Sequence, residues 1–213
     1  MNHNDPSPER GPESQGERLV LLILGLAFGG MLLWEIFSDY SLAKLSVVFF
    51  AASWVVLLVI HEMGHALMAR AVGWRVELVS IGTGKVRYRR TIFGMETEFR
   101  TIPLSGFMRP RPLDLIAPQL KLCLIYAAGP GIELLLVAVI AVGVDFSNLM
   151  VPSQEPGMIA LQSFCVAAVF GAVTNLIPLS HQSAGKTAAS DGLGMIACWS
   201  LPLTHFDNWM RGR

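Results

Sequence analysis

From Leu19 to Phe37 the chain is almost continuously apolar, and similar runs follow at Leu42–Ile60, Leu122–Val144 and Met158–Leu179. Each approaches the roughly 20 residues that a helix needs to cross the hydrocarbon core of a bilayer. The pattern predicts four transmembrane helices, at 19–37, at 42–60 continuing to 72, at 122–144 and at 158–179. The first carries Gly25 and Gly29 at a spacing that permits close helix approach. Between the second and third runs the period changes to two. Val76 and Leu78 alternate with charged neighbours, as do Val86 and Tyr88, and Ile92-Phe93-Gly94-Met95 offers a hairpin reversal. A small antiparallel β-sheet is expected over 74–107, closed by Pro103. Gly192–Leu203 is apolar but too short to span, which suits a short re-entrant or interfacial C-terminal helix, and Trp199 and Trp209 suit either the headgroup zone or aromatic packing. Residues 1–18 are polar and proline-rich and read as a disordered tail, leaving 19–213 as one domain. The fold class expected is a membrane protein, mainly α-helical.

Composition agrees. Hydrophobic residues make up 53% of the 213 and charged residues 15%, against about 25% charged in soluble domains. Sixteen basic residues balance sixteen acidic ones, so bulk charge gives no reason to expect a nucleic-acid partner. Cys123, Cys165 and Cys198 stand apart in apolar stretches and read as buried hydrophobes rather than as a disulfide framework or a cysteine-type zinc site. Charge distribution says more than its sum. Arg75, Lys85, Arg87, Arg89, Arg90, Arg100, Arg109, Arg111 and Lys121 crowd the segment from Trp74 to Lys121, whereas 38–41 and 145–157 carry no Lys or Arg. The positive-inside rule places the basic segment, and both termini with it, in the cytoplasm. Its basic side chains either meet anionic lipid headgroups or serve topology alone.

The second run ends in His61-Glu62-Met63-Gly64-His65. On a helix, positions i and i+4 share a face, so both imidazoles reach one metal. Neutral imidazole suits zinc, and Glu62 is placed to act as general base on the water that the metal activates. The helix continues to about Val72, roughly 17 Å beyond His61 at ~1.5 Å per residue. Ionisable groups at such depth are costly unless they serve a site. Tetrahedral zinc calls for a third protein ligand, for which Asp191, Glu133, His181 and His205 are candidates.

With these features in view the chain resembles the site-2 protease family of intramembrane zinc metalloproteases. The resemblance rests on HEMGH at the inner end of one span, PLSGF at 103–107 after the sheet, and AAGP at 127–130 opening the next span. NLIP at 175–178 and Asp191-Gly192 follow the last span in the same order, so the resemblance covers roughly Leu42 to Leu193. It implies a single zinc ion held by His61, His65 and Asp191, Glu62 as the catalytic base, and Asn175 beside the site, holding the substrate carbonyl or orienting Asp191. Two features depart from the family pattern. Twelve residues separate Pro178 from Asp191, so the aspartate must return on a loop or re-entrant turn. Glu133 stands where many members have asparagine, and is expected to hydrogen-bond Asn175 rather than to serve as a fourth ligand. His181, in the loop, reads as solvated, and His205 as remote from the metal.

The function so implied is hydrolysis of a peptide bond in or near a transmembrane segment of a membrane-protein substrate, in a multi-pass protein of a bacterial cytoplasmic membrane. The sheet edge, or the strand through Pro103 and Gly106, would hold the unwound substrate by strand addition. This would be a minimal member of its class, without an inserted peptide-binding or regulatory domain. The alternative is a catalytically inactive zinc-binding membrane protein acting as regulator or scaffold, against which the intact glutamate argues. A small transporter would need pseudo-symmetric halves, and the sequence has no internal repeat. Substrate, trigger and oligomeric state are not encoded in these motifs.

Overall fold

The computed structural model describes residues 30, 34, 44–183 and 186–212. The expected tail at 1–18 and first span at 19–37 lie outside the described residues, apart from positions 30 and 34 in helical conformation. The elements run α1 (Leu45–Ala71), β1 (Arg75–Ile92), β2 (Met95–Arg111), α2 (Pro118–Val144), α3 (Phe146–Met150), α4 (Pro156–Leu176), β3 (Ser180–Ser183), β4 (Lys186–Ala189), α5 (Asp191–Ala197), a 3-10 turn (Cys198–Ser200) and α6 (Leu203–Met210). Among the described residues three helices, α1, α2 and α4, are long and apolar enough to cross a membrane.

Each of these helices is apolar all round, and a seam repeating about every fourth residue packs inward. In α1 the seam is Ser53, Leu57, His61, His65 and Ala69. In α2 it is Leu122, Ile125, Gly129 and Glu133, and in α4 Ile159, Ser163, Ala167 and Gly171. Small residues recur in these seams, most of all in α4, because without a hydrophobic force between helices in lipid close backbone approach supplies the attraction. Gly64 shows how close that approach is. A β-carbon there would lie 2.8 Å from the Ala128 carbonyl oxygen and 2.9 Å from Cγ2 of Ile132. The outward faces stay exposed, with Val47, Val48, Val139 and Val166 as examples.

Gly73 ends α1 in a left-handed conformation (φ 83°), with Trp74 N–H donating to the Ala69 carbonyl. The chain then enters an antiparallel hairpin. Phe93 and Gly94 both have positive φ, the backbone of a two-residue turn whose twist matches its strands, and Ile92 pairs with Met95 across it. The sheet reaches Arg111 instead of closing at Pro103. Proline has no N–H for the ladder, and β2 accommodates it in an irregular stretch. Ile102 pairs with Thr83, pairing resumes at Gly106 with Ile81, and Pro103 to Ser105 carry no partner in the register. The middle of β1 consequently lies between two parts of β2. Val79, Ser80 and Ile81 face Met108, Phe107 and Gly106 on one side and Thr97, Glu98 and Phe99 on the other. Val79, Ile81 and Met95 are buried with Trp74, Leu122, Ile125 and Phe206, so the base of the sheet shares one core with the C-terminal part of α1 and the N-terminal part of α2.

The apolar C-terminal segment is two pieces rather than the one helix expected over Gly192–Leu203. α5 and the 3-10 turn end at Leu201, and Pro202 precedes α6. Phe206 of α6 is fully buried, and Trp209 stands edge-on to Trp74 at 5.5 Å. Arg111 at the end of β2 donates to the Met210 carbonyl through Nη2 (2.9 Å) and reaches Glu77 through Nη1 (3.1 Å). Asp114, in the following loop, has its carboxyl lowered by the hydrogen bond from Lys121, reinforced by the Ile116 N–H. Cys123, Cys165 and Cys198 are free, the last two buried.

Candidate metal centre

His61 and His65 sit one turn apart on the buried face of α1, with rings nearly perpendicular (84°) and centroids 4.7 Å apart. Their Nε2 atoms are 3.1 Å from each other. Asp191, the first residue of α5, closes the triangle. Its Oδ2 lies 3.0 Å from Nε2 of His61 and its Oδ1 3.3 Å from Nε2 of His65. Among the described residues this is the group of His, Cys, Asp and Glu side chains able to hold a metal ion, its ligand atoms all within 4.8 Å of one another. Ligands at about 2.1 Å in tetrahedral array are themselves about 3.4 Å apart, so the three side chains fit one zinc ion without rearrangement.

Other groups aim these ligands. Nδ1–H of His65 donates to the Ile125 carbonyl at 2.6 Å, which leaves the Nε2 lone pair free toward the cluster. Nδ1 of His61 lies 3.4 Å from Oε2 of Glu133.

The twelve-residue connection from Pro178 forms a β-hairpin, β3 with β4, whose ends meet as Ser180 pairs with Ala189. Ser190 ties its neck. The Ser190 hydroxyl donates to the Ile177 carbonyl (2.7 Å) and accepts from the Leu179 N–H (3.0 Å), while its own N–H donates to Leu179 (2.9 Å). The same oxygen accepts from Leu193 N–H and so caps α5. The chain leaves and re-enters at one point, which puts Asp191 opposite α1. Gly192 permits this, since a β-carbon there would overlap the Leu176 backbone.

Glu62 is buried, and its Oε2 has no hydrogen-bond partner among the described residues. β2 passes directly over it. A β-carbon on Gly106 would come within 2.7 Å of Glu62 Oε1 and 2.6 Å of the Ser80 carbonyl. Both residues line a cleft of about 560 Å³ with His61, His65, Glu133, Asn175 and Asp191. One wall of it is the β2 segment Leu104–Pro110. Pro103 lies just before that wall, half-buried in the irregular stretch of β2.

Glu133 is buried beside His61, and no hydrogen bond joins it to Asn175 among the described residues; its carboxyl turns to the imidazole instead. His181 lies on β3. His205 packs on Phe206 and Trp209 in α6, outside the cluster. Gly129 has a part that sequence reasoning did not give it. A β-carbon at this position would overlap the His65 ring and lie 2.7 Å from Nε2 of His61, so α2 approaches the imidazoles through bare backbone. AAGP carried that signal as a glycine before an in-helix proline.

Residues 49–200 match the family model described as peptidase family M50. A Yersinia pestis protein named protease RseP is 34% identical over 139 residues, covering 58% of this chain and 30% of that relative. A Campylobacter jejuni protein named as a zinc metalloprotease is 35% identical over 100 residues, 47% of this chain and 23% of the relative. The Salmonella typhimurium protein named regulator of sigma-E protease RseP is 42% identical over 69 residues, 31% of this chain and 15% of its own. In each case the chain spans less than a third of the relative's length. The family match takes in most of the chain, including both ends of the metal cluster: the chain belongs to peptidase family M50, the site-2 proteases.

Proposed function

We propose that the protein is an intramembrane zinc endopeptidase that hydrolyses a peptide bond in or near a transmembrane segment of a membrane-protein substrate. The observation that carries this reading is the meeting of His61, His65 and Asp191 at one point, with the Glu62 carboxyl in the same cleft. His61 and His65 through Nε2, and Asp191 through a carboxylate oxygen, would hold a single zinc ion. When bound, zinc polarises the scissile carbonyl and acidifies the attacking water.

The chain supplies the rest. Glu62 takes the proton from the attacking water and delivers it to the leaving amine. Its burial and its free oxygen keep it ready for that transfer. Asn175, at the cleft wall, offers an amide donor to the substrate carbonyl. A helical substrate has its carbonyls tied in its own hydrogen bonds and must unwind first. Gly106, Phe107 and Met108 pair with β1 on one side, and among the described residues no strand pairs with their other side. An extended substrate adds there as a strand, and Gly106 lets the strand that the substrate pairs with lie close over Glu62. Pro103 to Ser105, which carry no partner in the register, lead the chain into this segment.

The basic β1–β2 sheet lies on the cytoplasmic side of a multi-pass protein of a bacterial cytoplasmic membrane. Residues 19–213 form one metalloprotease domain. The direct test is Glu62→Gln with a co-expressed single-span membrane substrate. Cleavage is expected to fall by about 10²–10⁴-fold with zinc content unchanged. A variant that cleaves as fast as the parent overturns the proton-shuttle role.

A further inference from the structure

The two histidines of the cluster are braced differently. Behind His65 stands a neutral backbone carbonyl, that of Ile125 at 2.6 Å. Behind His61 stands a carboxyl group, Glu133 Oε2, 3.4 Å from Nδ1. Both atoms of this second pair are buried, and neither has a hydrogen-bond partner elsewhere among the described residues. Glu133 itself is only 3% exposed, in the middle of a membrane-crossing helix. A carboxyl group in that position is expensive unless it meets a donor. The chain makes room for it. Gly171 of α4 faces the carboxyl, and a β-carbon there would lie 3.4 Å from Oε1 and 3.5 Å from Oε2.

Glu133 faces Nδ1, whereas Nε2 of the same ring points into the cluster. A group behind Nδ1 is on the far side of the imidazole from the metal position, so it serves as a brace and not as a ligand. We infer that Glu133 is the positioning residue for His61: its carboxylate accepts the Nδ1–H, fixes the tautomer that bares Nε2, and makes that nitrogen the stronger donor to zinc. The inference rests on the zinc reading given above. It assigns Glu133 a partner different from Asn175 and makes the two imidazoles unequal ligands, one backed by a charge and one by a dipole. Outer partners of this kind typically contribute about 10- to 100-fold in metal affinity.

The test uses the purified full chain in detergent, with zinc affinity read by competition against a chromogenic chelator and cobalt(II) loaded as a visible-absorption probe. Wild type, Glu133→Ala, Glu133→Gln and His61→Ala are compared. Glu133→Ala is expected to weaken zinc binding about 10- to 100-fold. Glu133→Gln, which keeps an acceptor oxygen but not the charge, falls between it and wild type. Both variants shift the cobalt absorption bands, a change that altered packing away from the ligands would not produce. His61→Ala, lacking the ligand itself, is weaker than either. Zinc affinity and cobalt bands equal to wild type in the isosteric Glu133→Gln and in Glu133→Ala overturn the inference while leaving the zinc reading intact. A wild-type chain that binds no zinc overturns that reading, and this inference with it.

Discussion

His65 Nδ1 donates to the carbonyl oxygen of Ile125 at 2.6 Å, so a side chain of α1 is anchored on the backbone of α2 just before Gly129 and Pro130. The bond orients the ring in a region where α2 has no side chain to offer. Helix packing and ligand orientation are therefore one feature here: the close approach that joins α1 to α2 also aims an imidazole.

Gly129→Ala tests that coupling. The added β-carbon would overlap the His65 ring and press on His61. Zinc content after purification is expected to fall to a small fraction of wild type, with a stability loss of about 1–3 kcal/mol from overpacking. Gly131→Ala, where a β-carbon meets nothing within 4 Å among the described residues, is expected to keep its zinc.

Ser190→Ala removes the hydroxyl that ties Ile177, Leu179 and Leu193 together at the neck of the hairpin. A lost cap and an orphaned amide cost about 1–2 kcal/mol. Because Asp191 is the next residue, zinc affinity should fall as well, by at least tenfold. Ser190→Thr keeps the hydroxyl and should recover most of both, as read by thermal unfolding and chelator competition.

Gly106→Ala addresses the substrate side. Its β-carbon would meet the Glu62 carboxyl and the Ser80 carbonyl, displacing either the base or the strand. Cleavage should drop at least tenfold while zinc remains bound. Concurrent loss of zinc would show that β2 supports the ligands rather than the substrate.

Much of this arrangement is written locally and can be read from the sequence. Apolar runs mark α1, α2 and α4, and Phe93-Gly94 marks the hairpin. The i,i+4 spacing of His61 and His65 places their rings together whatever surrounds them. Helix edges are less legible. α2 starts at Pro118, ahead of the apolar run at Leu122, because proline is pre-set for the first turn of a helix and tolerates polar Gln119 and Lys121 after it. Pro103 misleads because a proline normally ends sheet pairing, whereas here pairing is merely interrupted and the strand continues to Arg111. The return of Asp191 is not encoded by periodicity at all. It depends on β3 pairing with β4 and on Ser190 bonding across the neck, contacts between residues that no hydropathy pattern relates. Glu133 illustrates the same limit: its position marks it as unusual, but only the packing of α1 against α2 makes His61 its neighbour.

Zinc X-ray absorption spectroscopy on the purified chain tests the central claim most directly. The account predicts one zinc per chain, in a shell of nitrogen and oxygen at about 2.0–2.1 Å with the outer scattering of two imidazoles, the latter reduced in His65→Ala. A sulfur shell at about 2.3 Å, or a zinc signal without imidazole scattering, would contradict it.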